Sequence, residues 1–187
     1  FGVGVVKNGK VLSNVNKTYT TEQGGIIPVE SAKHHCENKH EIYFEAIDKS
    51  RIKEENIDAI AFSAGPGLAP CLLEGMKFAK ELAKKFNVPL IQVNHCIAHL
   101  EIGKLASTPK GCAPKHFSKK CLLGANPVML YVSGANTQII AYESGKYRIF
   151  GETLDIGVGN FIDNFARFAG IGFPGGPAIE RLAKQSK

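Results

Sequence analysis

The chain has 187 residues, 44% of them hydrophobic, and a formal net charge of +6. This is enough apolar material for one sizeable core; no run of about 18 apolar residues offers a membrane span, and the start lacks the zones of a secretory signal. Cys36, Cys71, Cys96, Cys112 and Cys121, odd in number and widely spaced, form no disulfide framework and suit reduced thiols, so the expected setting is cytoplasmic.

Phe1 to Val6 reads as a strand in mid-course, so further residues are expected upstream. Lys7-Asn8-Gly9-Lys10 between two apolar runs predicts a tight hairpin, with a third strand through Thr18 to Thr21. Glu30 to Ile47 carries Ala32, Cys36, Tyr43 and Ile47 at helical separations and predicts a half-buried helix. Ile57 to Ser63 predicts a strand broken by Gly65-Pro66-Gly67, and Leu72, Met76, Ala79, Ala83 and Phe86 then mark one face of a helix. Val88 to Val93 is the next strand, and Asn94 is placed to cap a helix carrying His95 and His99.

Between Leu105 and Leu122 stand Lys110, Lys115, His116, Lys119 and Lys120 with no acidic residue, which reads as a solvated loop or a phosphate-contacting surface. Cys112, His116 and Cys121 could supply three zinc ligands, but a fourth ligand and the usual Cys-x-x-Cys spacing are absent. Three strands follow at Val128 to Ser133, Gln138 to Tyr142 and Tyr147 to Phe150. Val158, Phe161, Ile162, Phe165, Phe168 and Ala169 draw an apolar stripe ended by Gly170, and Pro177 is expected to open the last helix at its first position. The order suggests two βββαβα-like units, residues 1–125 and the start of a second over 126–187.

His95 and His99, four apart on a helix, project from one face and can grip one divalent cation. Such a pair is also a common coincidence. A zinc protease would place Glu directly after the first His; here Cys96 stands there and Glu101 comes too late, which argues against peptide hydrolysis. The small-residue turn Ser133-Gly134-Ala135-Asn136-Thr137 is an ordinary hairpin or a place where backbone N–H groups and Ser and Thr hydroxyls meet a phosphate. The glycine cluster from Gly170 to Gly176 lets backbone pass a ligand just before a helix. Asp163 and Glu180 flank it, either as exposed helix carboxylates or as acceptors for ribose hydroxyls.

Asn94-His95-Cys96-Ile97-Ala98-His99, Leu130-Tyr131-Val132-Ser133-Gly134, Phe150-Gly151-Glu152-Thr153-Leu154-Asp155-Ile156 and Pro174-Gly175-Gly176-Pro177 occur here in that order. Together they resemble the tRNA threonylcarbamoyladenosine transferase family of archaeal and eukaryotic type, the transferase subunit of the KEOPS complex, formerly described as O-sialoglycoprotein endopeptidase. The resemblance runs over essentially the whole chain. It implies an α/β, actin-like ATPase (ASKHA) fold of two lobes with mixed sheets flanked by helices, this chain being the N-terminal lobe. It implies transfer of a threonylcarbamoyl group from its adenylate to the adenosine beside the tRNA anticodon. By the same resemblance His95, His99 and Tyr131 would bind one divalent metal, iron or zinc. Tyr131, Val132, Ser133, Gly134, Ala135, Asp163, Gly176 and Glu180 would bind threonylcarbamoyl-AMP or ATP. No residue is assigned as an acid or base. The implied partners are tRNA, a small dimerising KEOPS subunit and an associated kinase, with no membrane.

The family usually has Gly-Gly where Gly134-Ala135 stands, Arg at Val29, Gln at Ala64, Arg at Leu73 and His at Phe173. Its C-terminal lobe, with an Asp metal ligand and an Asn that holds the nucleotide, is absent after Lys187, so this chain alone is expected to be inactive. Two other readings stand beside transfer: a non-catalytic scaffold lobe for a small KEOPS subunit, and an ATPase or kinase of the same fold.

Overall fold

Asn8 and Gly9 both take positive φ, 51° and 71°, the backbone of a two-residue hairpin turn whose twist matches the flanking strands. In a computed structural model, which describes residues 1–20, 26–105 and 126–186, this turn joins strands β1 (Gly2–Lys7) and β2 (Lys10–Asn16). Val5 pairs with Ser13 and Val6 with Val11, so Leu12 is bulged out of the ladder. The expected third strand is not formed at Thr18 to Thr20. The ladder ends as Lys17 donates to the Phe1 carbonyl at 2.9 Å, and the Lys17 ammonium turns to Glu41 at 3.1 Å. Thr21 lies outside the described residues.

The contacts separate two compact units, one of Phe1–Glu22 and Ile26–His95, the other beginning in the main at Cys96. In the first, helix α1 (Pro28–Ser50) starts with Pro at a position where a missing N–H costs nothing. Its buried face is Ser31, Asn38, Ile42, Tyr43, Ala46 and Ser50. Of the stripe expected from hydropathy only Tyr43 is buried, and Cys36 is exposed. The difference has a physical cause: the polar members of the true face are satisfied locally. Asn38 Nδ2 donates to the His34 carbonyl, Ser50 Oγ to the Ile47 carbonyl and Ser13 Oγ of β2 to the Ala46 carbonyl, each at 2.7 Å. Val15, Ile42 and Ala46 form the core there, with Phe1, Val3 and Val5 against it.

Strand β3 (Ile60–Gly65), helix α2 (Ala69–Phe86) and strand β4 (Leu90–Asn94) form a parallel pair with its crossover. Both strands start two to three residues later than the apolar runs suggest. Helix α2 buries Phe78, Ala79 and Ala83 and ends at Asn87 in the left-handed region, φ 54°, which Asn tolerates. Strands β1 and β3 belong to different sheets, and a cavity of about 1180 Å³ within this unit runs beside both.

In the second unit β5 (Met129–Val132), β6 (Thr137–Glu143) and β7 (Lys146–Glu152) make an antiparallel sheet in that order. Ser144 and Gly145, with φ of 50° and 79°, form its second tight turn. Helix α3 (His95–Leu105) supplies Cys96 and Leu100 to a core with Tyr131 and Ile140, edged by Ile97, Met129 and Tyr147. Helix α4 (Val158–Phe168) ends in a Schellman motif. Ile171 N–H reaches the Ala166 carbonyl at 2.8 Å and Gly170, at φ 73°, reaches that of Arg167 at 3.1 Å. Its expected apolar stripe is not its packed face: Phe161, Phe165 and Phe168 are 61%, 56% and 93% exposed. The packing runs instead through small residues, with Ala166 buried and Gly159 close to the Ser133 carbonyl. Helix α5 is Gly175–Gln185, so Pro177 stands third rather than first, still within the turn whose N–H groups have no partner four residues back. No helix among the described residues is long and apolar enough to cross a membrane.

Candidate functional site

Residues 133–136 join β5 to β6, and they close on themselves. Ser133 N–H donates to the Asn136 carbonyl at 2.8 Å, Ser133 Oγ donates to the same carbonyl at 3.0 Å, and Asn136 N–H donates to Ser133 Oγ at 3.0 Å. The Ser133 hydroxyl is thus engaged within the turn and with the Tyr131 hydroxyl, leaving backbone as the donor that a ligand would meet. Gly134 and Ala135 are exposed. Helix α4 begins against this turn. Gly159 N–H donates to the Ser133 carbonyl, Asn160 N–H to the Gly134 carbonyl and Val158 N–H to Thr137 Oγ1, each at 3.0 Å.

Asp163, one turn further along α4, is half-buried, and its Oδ1 accepts the Gly175 N–H at 2.8 Å. That bond satisfies one of the orphan amides of α5, and the negative charge suits the positive end of its dipole. Its second carboxylate oxygen retains acceptor capacity for a ribose hydroxyl. Gly176 follows at the start of α5, half-buried. Glu180 is exposed and pairs with Lys184 at 2.5 Å; the Lys184 hydrogen bond, then its charge, holds the Glu180 carboxyl below its ordinary range. The turn is thus tied to α4, and α4 through Asp163 to the start of α5. Val132, the last residue of β5, is exposed.

His95 and His99 are exposed on α3, four residues apart. The His99 ring lies 6.0 Å from that of Tyr131, centroid to centroid. Tyr131 is buried. Burial first, then a hydrogen bond with the Cys96 thiol, holds its hydroxyl above the usual tyrosine value, while the Ser133 hydroxyl pulls the other way. Tyr131 stays a neutral phenol at pH 7, with an oxygen that can still accept or ligate. Two imidazoles and a phenol suit a borderline cation such as iron or zinc. Among the described residues no group of three or more His, Cys, Asp and Glu side chains is placed to hold a metal. The zinc-like set of Cys112, His116 and Cys121 and the lysine stretch around it lie outside the described residues.

Sequence reasoning missed Gly157, Gly159 and Asn160 and the core position of Cys96; it placed Thr137 in the turn as a donor to phosphate, and did not foresee that its hydroxyl oxygen accepts the Val158 N–H. A legible signal existed in Gly157-Val158-Gly159, two glycines at the opening of an otherwise strongly amphipathic helix, which mark close backbone approach.

A family model described as tRNA N6-adenosine threonylcarbamoyltransferase matches residues 10–187, and the chain belongs to that family. It is 52% identical over 182 residues to the tRNA N6-adenosine threonylcarbamoyltransferase of Thermococcus gammatolerans, covering 97% of this chain and 51% of the relative. To the protein of that name from Thermococcus sibiricus it is 48% identical, covering 100% and 52%. A Thermoplasma volcanium relative, a probable bifunctional tRNA threonylcarbamoyladenosine biosynthesis protein, is 46% identical, with 98% of this chain and 32% of that one covered. The chain spans about half the length of the transferases it matches.

Proposed function

We propose that the protein to which this chain belongs transfers a threonylcarbamoyl group from threonylcarbamoyl-AMP to the adenosine beside the anticodon of tRNA. The observation that carries the reading is the position of Tyr131: the His99 ring flanks it, and two residues later the same strand enters the turn built on Ser133. A metal held by His95, His99 and Tyr131 would act as a Lewis acid on the carbamoyl oxygen. The chain's own residues bind and orient: exposed backbone at Gly134 and Ala135 for the phosphate, Asp163 with Gly176 and Glu180 for the nucleoside, held on packed elements. The actin-like two-lobed plan, association with KEOPS subunits and a cytoplasmic site of action belong to the same reading. The net charge of +6 suits a polyanionic substrate.

The test is nucleoside analysis of tRNA incubated with full-length protein and threonylcarbamoyl-AMP, beside an ATP hydrolysis assay without tRNA. Formation of threonylcarbamoyladenosine is expected. ATP hydrolysis without any modified nucleoside would point instead to a kinase or ATPase of the same fold.

A further inference from the structure

The exposed turn at Gly134 and Ala135 has a fixed orientation, and the first turn of α4 sets it. An α-helix leaves its first four N–H groups without internal partners. Here Gly157, in the capping position, offers no side chain, and the amides of residues 158, 159 and 160 are satisfied by Thr137 Oγ1 and by the Ser133 and Gly134 carbonyls, all at 3.0 Å. The two backbones touch. A Cβ on Gly159 would lie 2.7 Å from Gly134 Cα and 2.8 Å from the Ser133 carbonyl oxygen; one on Gly157 would lie 2.6 Å from the Gly134 oxygen and Ala135 carbon. Real Cβ atoms do not approach backbone so closely, so only glycine permits the seat at both positions.

In a trans peptide the C=O and the following N–H point in opposite directions. Holding the Ser133 and Gly134 carbonyls toward α4 therefore turns the N–H groups of Gly134 and Ala135 away from it. Two successive N–H groups facing one way make a small anion-binding concavity. A Cβ on Gly134 would meet Asn160 Oδ1 at 3.3 Å, so the side-chain direction at this residue also faces α4 and leaves the donor side to backbone.

We propose that Gly157, Gly159 and Thr137 are positioning residues that aim the Gly134 and Ala135 N–H groups at the phosphate of the bound adenylate. This deepens the reading above and rests on it. The Thr137 hydroxyl oxygen accepts the Val158 N–H, so Thr137→Val removes that bond at nearly constant shape, and Thr137→Ser restores it. Gly159→Ala pushes the turn off its seat.

The experiment uses the full-length protein, with AMP affinity measured by calorimetry and KM measured separately for threonylcarbamoyl-AMP and for tRNA. Gly159→Ala and Thr137→Val are each expected to weaken AMP binding roughly tenfold and to raise KM for the adenylate, with KM for tRNA unchanged. Thr137→Ser is expected to recover most of the loss, which a general loosening of the fold would not produce. If Gly159→Ala fails to fold, the Val and Ser pair at position 137 decides. Wild-type AMP affinity in a folded Thr137→Val variant overturns the inference while leaving the transferase reading intact. A wild-type protein that binds no adenine nucleotide overturns both.

Discussion

The Asp163 carboxylate accepts the backbone N–H of Gly175 at 2.8 Å, joining two helices that flank a glycine-rich loop. One oxygen does structural work, which separates two roles of the same side chain. Asp163→Asn keeps a carbonyl acceptor for Gly175 and removes the charge. It is expected to cost less than about 1 kcal/mol of stability, from the lost interaction with the α5 dipole, and to weaken nucleotide binding. Asp163→Ala leaves the Gly175 amide without its partner and is expected to cost roughly 1–2 kcal/mol as well. Denaturant unfolding beside nucleotide titration checks both; equal stability of the Asn and Ala variants would show that the bond to Gly175 contributes nothing.

Gly175 is buried, and a Cβ there would collide with the Cβ of Ala166 on α4. Gly175→Ala is expected to destabilise the protein by roughly 1–3 kcal/mol through overpacking. Adding Ala166→Gly should return part of that loss, because it removes the colliding atom, even though glycine in a helix costs about 1 kcal/mol itself. A double mutant no more stable than Gly175→Ala would show that the two helices do not meet at these atoms.

The α4 helix shows what could and could not be read beforehand. Its extent, Val158–Phe168, and its end at Gly170 follow from spacing and a glycine, both local signals. Its packed face did not follow, because hydropathy weights Phe161, Phe165 and Phe168, whereas contact is made by Gly159, Asp163 and Ala166 through backbone approach and a hydrogen bond. The same limit applies to α1, where Asn38 and Ser50 are buried with their polar atoms satisfied locally. His95, His99 and Tyr131 were legible as a set only through the resemblance; that His99 and Tyr131 lie side by side depends on the core packing of Cys96 and Leu100, which no short window contains.

In the first unit, Tyr43 donates to Glu54 Oε1 at 2.7 Å and Lys85 donates to Glu54 Oε2 at 2.9 Å. The Tyr43 bond, then that of Lys85, lowers the Glu54 pKa, and burial with the bond to Glu54 raises that of Tyr43. A carboxylate with a depressed pKa contributes stability above its unfolded value and loses it as pH falls through the folded one. Tyr43→Phe is therefore expected to cost about 1 kcal/mol near neutrality. The cost should shrink in acid, below the ordinary glutamate range. Urea unfolding at pH 7 and pH 3 measures this; a cost independent of pH would assign the effect to packing alone.

The metal assignment is tested most directly by metal analysis of tag-free full-length protein beside tRNA modification, for wild type, His95→Ala, His99→Ala and the double variant. Each single change removes one imidazole from α3, and a site short of a ligand loses metal and Lewis-acid chemistry together. Metal content and threonylcarbamoyladenosine formation are expected to fall in parallel, to background in the double variant. Full transfer activity in a double variant without metal would contradict the assignment.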